Sequence, residues 1–355
     1  MGLLGLGDAI LRGITSRIGT KYGFLLYISA SNLMQAISGI VLIRNGEIVM
    51  MQMSLIGTLQ ANLLLLPALS VFYATLRQKS MVHEYRVTKK YTLLLFLATG
   101  GLVAPTVFDL ETTLPTASTA GLSRGTSVLL MIAYGGYLFF QLSTHKAFFA
   151  SDQSFNQCPN RRGNAHVVEN ATLEHSPAPE GQVTEAGELS IWTAFFMFVA
   201  TTALLYFCVD YVVNSVLELR EIHDSPSLGF SGYILIPILN CDLAAVEQVE
   251  WSMDSVLTFT FDKSLQLALF FSPFLVMVAW GAGFEDASLS FDIVAVTTLF
   301  TSVYLVNALS ASGEFNWLHG ITMMALYAVL CLTVSFYPVR LDNWKGPGPS
   351  SAGMV

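Results

Sequence analysis

Long apolar runs separated by polar stretches fill most of the chain. A bilayer core roughly 30 Å thick takes about 20 apolar residues in helical form, because backbone amides left unpaired in lipid are costly. Nine stretches meet that requirement, at about 22–43, 48–74, 91–108, 126–144, 190–216, 228–248, 256–281, 289–310 and 317–337. The pattern therefore predicts an all-α, polytopic transmembrane bundle of about nine helices. One long polar stretch, 149–188, is rich in Asn, Glu, Pro and Gly and is expected to be disordered in part. It divides the chain into an amino-terminal part, 1–148, with an amphipathic lead-in and four helices, and a carboxyl-terminal part, 189–338, with five helices. A disordered tail, 339–355, is expected to follow.

Composition sharpens this picture by exclusion. Of the 355 residues 53% are hydrophobic and 12% charged, against roughly 25% charged in soluble domains. The net charge of −8 and the lack of a basic stripe argue against a nucleic-acid partner and leave the lipid bilayer as the expected surroundings. Cys158, Cys208, Cys241 and Cys331 stand far apart, which predicts small buried apolar side chains and neither a zinc site nor a disulfide framework. No histidines pair at metal-ligand spacing, and no nucleophile elbow, P-loop or dinucleotide fingerprint is present, so no resident cofactor and no soluble-type active site are expected.

Lys and Arg are distributed unevenly between the two faces that nine crossings define. Eleven fall on the side of the amino terminus, five on the other, and Lys263 lies within a segment. Positive charge is retained on the cytoplasmic side, so the amino terminus and the 149–188 loop are expected in the cytosol and the carboxyl terminus in the lumen. The sequon Asn170-Ala171-Thr172 would then stay unglycosylated.

An internal match adds a second level of order. Thr58-Leu59-Gln60 through Pro67 aligns with Ser264-Leu265-Gln266 through Pro273, with hydroxyl, Leu, Gln and Pro in step. The two segments are five crossings apart and so run in opposite directions, the arrangement of inverted-repeat transporters, whose substrate sites lie at the midplane between repeats.

At this point the residues resemble the calcium/proton exchanger family of the calcium/cation antiporters, especially its vacuolar members in fungi and plants. The resemblance is carried by Leu122-Ser123-Arg124-Gly125, Tyr137 to Lys146, Gly232-Tyr233-Ile234-Leu235-Ile236-Pro237, Ser264 to Pro273, Val306-Asn307, Asn316-Trp317-Leu318 and Phe336-Tyr337-Pro338, in family order and spacing. It implies an inverted-repeat, sodium/calcium-exchanger-like fold that lacks the first two of the family's eleven helices. It also implies a vacuolar or other endomembrane location, with a cation such as Ca2+ and a proton as substrates.

The family's exchange chemistry uses a GNxxE motif in each repeat, whose glutamates bind Ca2+ and protons in turn. Carboxylates suit that task because Ca2+ takes six to eight oxygen ligands, charged ones among them. Here the first motif reads Ser31-Asn32-Leu33-Met34-Gln35, keeping the asparagine and replacing the glutamate with an amide. Without gaps the second reads Asn240-Cys241-Asp242-Leu243-Ala244, and a shifted register would instead place Glu247 at the acidic position. Where the family has Gly-Ser-Ser in the seventh segment, this chain has Asp262-Lys263-Ser264, two charges ahead of Gln266. Intramembrane charges are rare, usually paired and functional by default. Lys263 can neutralise Asp242, Glu247 or Asp262 and so fill a cation site, or form with Asp262 a structural ion pair at a wet vestibule. Asp210 matches an acidic family position, where helix packing and ion contact are equally open.

The candidate ion-site and midplane residues are thus Asn32, Gln35, Asn62, Gln266, Asp242, Glu247, Asp262, Lys263 and Asp210. Three functions fit them. The chain carries out altered or residual cation transport, or it is a non-transporting relative that binds and regulates another membrane protein. The third is an intramembrane enzyme performing acid/base chemistry, such as a cyclisation or isomerisation, on a lipophilic substrate.

Overall fold

The computed structural model describes residues 20–77, 81–82, 85–111, 116–144, 191–222, 228–241, 253–284 and 287–337. The amphipathic lead-in, the 149–188 loop with its sequon, the 339–355 tail, Cys158, Asp242, Ala244 and Glu247 lie outside the described residues. Helices α1 (Thr20–Ser31) and α2 (Leu33–Arg44) run on through Asn32, whose amide donates to Ile28 O at 3.1 Å. Then come α3 (Ile48–Gln60), a π-helical turn (Ala61–Leu65) and α4 (Leu66–Arg77). After β1 (Met81–Val82) follow α5 (Tyr85–Glu111), α6 (Thr116–Phe139) with a closing π turn (Phe140–Thr144), and α7 (Ile191–Ile222). A short helix comprises α8 (Leu228–Phe230), a π turn (Ser231–Leu235) and α9 (Ile236–Leu239). The chain continues with α10 (Met253–Gln266), a π turn (Leu267–Phe271), α11 (Ser272–Gly281), α12 (Ile293–Ser310), β2 (Glu314–Phe315) and α13 (Trp317–Phe336).

Among the described residues eight helices are long and apolar enough to cross a membrane. Pairings between loops fix which ends share a face. Asn45, at the end of α2, bonds Asn214 of α7 at 3.1 Å. Near the start of α3, Gln52 donates to the carbonyls of Ser288 and Ser290, just beyond α11, at 2.7 and 3.1 Å. The same stretch reaches Asp109 of α5 through Ser290 and Ser123 of α6 through the Leu289 amide. On the opposite face β1 pairs antiparallel with β2, Met81 against Phe315 and Val82 against Glu314. Thus α7 ends on the face that holds Asn45, whereas α10 starts on the other. The Leu228–Leu239 helix lies between them in sequence and is additional to the eight long helices.

Burial sorts the crossings. In Ile48–Leu76 83% of the apolar window is buried, and in Val256–Gly281 67%, whereas in Phe195–Leu219 the share is 11%. The two halves of the internal match therefore form the centre of the bundle. Phe195, Phe196, Phe207 and Tyr211 of α7 are exposed and suit contact with lipid tails. Cys208 is exposed on that helix, contrary to the expectation of a buried thiol, while Cys241 is buried and Cys331 half-buried.

The match between halves also appears in the backbone. Each π turn starts one residue after the glutamine (Gln60, Gln266) and ends two residues before the proline (Pro67, Pro273). Leu66 N bonds Ala61 O and Ser272 N bonds Leu267 O, each five residues back. Proline donates no amide, and its ring crowds the carbonyl four residues earlier. Widening the preceding turn by one residue moves that carbonyl aside. The helix before Pro237 does the same, with Ile236 N bonded to Ser231 O.

Close approach of backbones holds these central helices together. A Cβ at Gly57 would lie 2.2 Å from the carbonyl oxygen of Tyr233, and one at Gly232 would meet Met50 O at 3.2 Å. Gly57→Ala should therefore force α3 away from the Tyr233 helix and lower stability by about 1–3 kcal/mol, read as a fall in Tm of detergent-purified protein. Gly136→Ala, on α6 with nothing within 4 Å of the added atom, should leave Tm unchanged.

Candidate functional site at the midplane

Polar side chains of the two central repeats converge where the helices carry their matched interruptions. Asn32 is fully buried, and its Nδ2 donates to Gln266 Oε1 at 2.9 Å and to the carbonyl of Lys263 at 3.1 Å. Gln266 Nε2 continues to Ser29 Oγ at 2.7 Å. The next turn of α2 brings Gln35 into a second cluster. Its Nε2 donates to Ser54 Oγ at 3.1 Å, and its Oε1 accepts from Thr58 Oγ1 at 2.8 Å and from Asn240 Nδ2. Ser38 Oγ joins Asn240 Oδ1 at 3.3 Å. Amides from the first and second motifs therefore touch directly across the repeat interface.

A third cluster surrounds the charges of α10. Asp262 is buried and accepts from Tyr91 of α5 at 3.1 Å and from Tyr137 of α6. Lys263 is 1% exposed, and its Nζ has no hydrogen-bond partner among the described residues; it stands 5.8 Å from the Phe259 ring centroid. Neighbouring residues on a helix project about 100° apart, so Asp262 is drawn toward the tyrosines while Lys263 faces Phe259, one turn back.

A fourth group joins Gln60 to Tyr233, whose hydroxyl also meets Thr298 at 3.1 Å. Asn62, within the first π turn, is fully buried with neither polar atom bonded to a described residue, and Asn32 Oδ1 is likewise unpartnered.

Of the candidates read from the sequence, Asn32, Gln35, Asn62, Gln266, Asp262 and Lys263 are buried in the two central repeats. Asp210 is not brought to them. It is partly exposed on α7 and accepts from Asn214 at 3.2 Å, close to the membrane face marked by Asn45. Sequence reasoning passed over Asn240, Ser54, Thr58, Tyr91 and Tyr137. Asn240 stood in the quoted motif, but nothing in an apolar segment marks a tyrosine as the partner of a distant aspartate.

A family model described as sodium/calcium exchanger protein matches residues 8–143. A vacuolar calcium ion transporter of Schizosaccharomyces pombe is 30% identical over 329 residues, covering 90% of this chain and 73% of the relative. The chain belongs to the Ca2+/H+ exchanger family. A Ca2+/H+ antiporter of Aphanothece halophytica is 26% identical over 336 residues, covering 91% of this chain and 84% of the relative. The fold agrees with that of native YfkE, with a TM-score of 0.72 at 20% identity over 94% of this chain and 90% of YfkE. The H+/Ca2+ exchanger CAX gives 0.59 at 12% identity, over 94% and 82% respectively. Membership and fold establish a polytopic integral membrane protein of exchanger type, as the apolar pattern and the quoted motifs led one to expect.

The tyrosine clamp on Asp262 makes a separable contribution to stability. Tyr91→Phe removes one donor from a buried carboxylate and should cost about 1–3 kcal/mol. In an Asp262→Leu background the same change should be nearly neutral, and a double-mutant cycle on Tm in detergent measures the difference.

Proposed function

We propose that this exchanger-family chain moves a cation across a vacuolar-type endomembrane, with its amino terminus and the 149–188 loop cytosolic, and that its ion region has departed from Ca2+/H+ exchange. The observation that carries this reading is the direct contact of Gln35 with Asn240 across the repeat interface. Its curated relatives include a vacuolar calcium ion transporter and Ca2+/H+ antiporters, which supports a cation and a proton as ancestral substrates.

Calcium gains its affinity from charged oxygens, and an uncompensated divalent ion in a low-dielectric site is unfavourable. At the first motif an amide offers an oxygen ligand without charge and without a proton to exchange. Gln35 Oε1, Asn240 Oδ1, Ser54 and Thr58 together form a neutral oxygen set at the repeat interface. Such a set favours ions that hold their water weakly and need little compensating charge. Asp262 remains as a buried carboxylate, already bridged by two tyrosine hydroxyls.

Reconstitution into proteoliposomes with an imposed pH gradient tests the reading. Wild-type protein should move a cation other than Ca2+ above empty vesicles, and Gln35→Glu should raise Ca2+ uptake by about tenfold, the equivalent of one good ionic ligand. Absence of flux for Na+, K+, Mn2+ and Ca2+ would leave the non-transporting alternative. Wild-type Ca2+ uptake equal to that of the variant would show that the amide has changed nothing.

A further inference from the structure

Between α11 and α12 the chain leaves helical form yet stays buried. Gly283, at a φ of 95°, turns it out of α11, and Asp292, whose carboxylate accepts from Val294 N at 2.9 Å, starts α12. From Ala287 to Asp292 burial alternates. Ala287, Leu289 and Phe291 are 1%, 0% and 5% exposed and belong to the main hydrophobic core, while Ser288, Ser290 and Asp292 are half-buried. Alternation of this kind marks an extended strand. Among the described residues no strand pairs with it.

Side chains satisfy its backbone instead. The amides of Leu289 and Phe291 donate to Ser123 Oγ of α6 at 2.6 Å and to Thr106 Oγ1 of α5 at 3.0 Å. The carbonyls of Ser288 and Ser290 accept from Gln52 Nε2 of α3 at 2.7 and 3.1 Å, which occupies both protons of that amide. Ser290 Oγ adds a bond to Asp109 of α5 at 2.8 Å. The segment is thus fastened to α3 by its carbonyls and to α5 and α6 by its amides. Ser54 and Thr58, which hold the Gln35 amide, stand two and six residues beyond Gln52 on α3, or about 3 and 9 Å deeper at the helical rise. Ser54 and Thr58 are 0% and 1% exposed.

We infer that Ala287–Asp292 is a releasable strap that closes the bundle between the midplane cluster and the face that holds Asn45, with Gln52 as its latch. A paired strand is held by a ladder of backbone bonds. This segment is held by single side chains, and loss of any one leaves a buried amide or carbonyl that only water can meet. Gln52 matters most, because one side chain serves two carbonyls. Local opening of such a segment costs less than unfolding the helices around it. Release of Gln52 frees the α3 side of the strap and gives water a way to Ser54 and Thr58, while Ser123 and Thr106 still hold the other side. The closure is independent of which ion, if any, the midplane takes.

The test uses the full chain, purified in detergent, with its four native cysteines changed to alanine and Thr58→Cys as the single reporter. Reaction with a charged methanethiosulfonate is followed by intact mass. The reporter alone should react slowly. Gln52→Leu should raise the rate about tenfold, the change in open population that loss of a buried hydrogen bond gives. Gln52→Glu, which sets a carboxylate against two carbonyls, should raise it further. Ser123→Ala strips the Leu289 amide of its acceptor and should raise the rate about threefold; it carries the test if the Gln52 variants do not fold. Gly101→Ala, whose added Cβ meets Leu130 at 2.6 Å, sets the rise that general loosening produces. A reporter that reacts fast without any strap variant, or strap variants that react no faster than Gly101→Ala, would overturn the inference. Neither result bears on cation flux, which is measured in vesicles and can fail with the strap intact.

Discussion

Gly57 allows the backbone of α3 to lie directly against the Tyr233 carbonyl, and the centre of the molecule is organised around that contact. Lipid offers no hydrophobic drive between helices, so association depends on close van der Waals packing and on polar side chains that find partners across the interface. Because these backbones meet so closely, side chains as short as Asn240 and Gln35 can span the gap between repeats, and the Tyr233 hydroxyl can reach Gln60. A larger residue at the crossing would separate the amides by more than a hydrogen bond allows. The chemistry of the midplane is therefore a consequence of a missing side chain.

Around that contact the protein spends its polar groups differently in its two halves. The first half contributes Gln35, Ser54 and Thr58, a neutral set closed by Asn240. The second half contributes Asp262 and Lys263, a charged pair whose members face apart. Inverted repeats usually approach the ion from two equivalent sides. Here one side supplies oxygen without charge and the other supplies both signs of charge, so the twofold relation persists in the backbone and is broken in the electrostatics.

Much of this was legible in the sequence, and the reasons are physical. Helix length in lipid is set by bilayer thickness, so the apolar runs located the eight long helices, while the run at 228–248 is described only over its first part. The repeat was visible because Gln60 and Gln266, with Pro67 and Pro273, recur at the same spacing, and the structure places π turns at those positions in both halves. Asn32 and Gln266 were picked out separately, and their hydrogen bond unites them. What stayed hidden were contacts between residues far apart in sequence. Tyr137 lies 125 positions from Asp262, and no local pattern distinguishes it from Tyr134 one turn earlier. Asp210 shows the converse. A charge in an apolar segment reads as central, but α7 lies at the bundle's edge, where an aspartate near a membrane face is satisfied by Asn214.

The matched π turns also set how each central helix is phased. A π turn holds one residue more than an α-helical turn, so side chains beyond it are rotated by about 100° relative to an uninterrupted helix. Both halves carry that step at the same distance from the same glutamine and the same proline, and the helix before Pro237 carries it too. The faces that these helices present before and after their prolines are therefore offset from one another in the same sense.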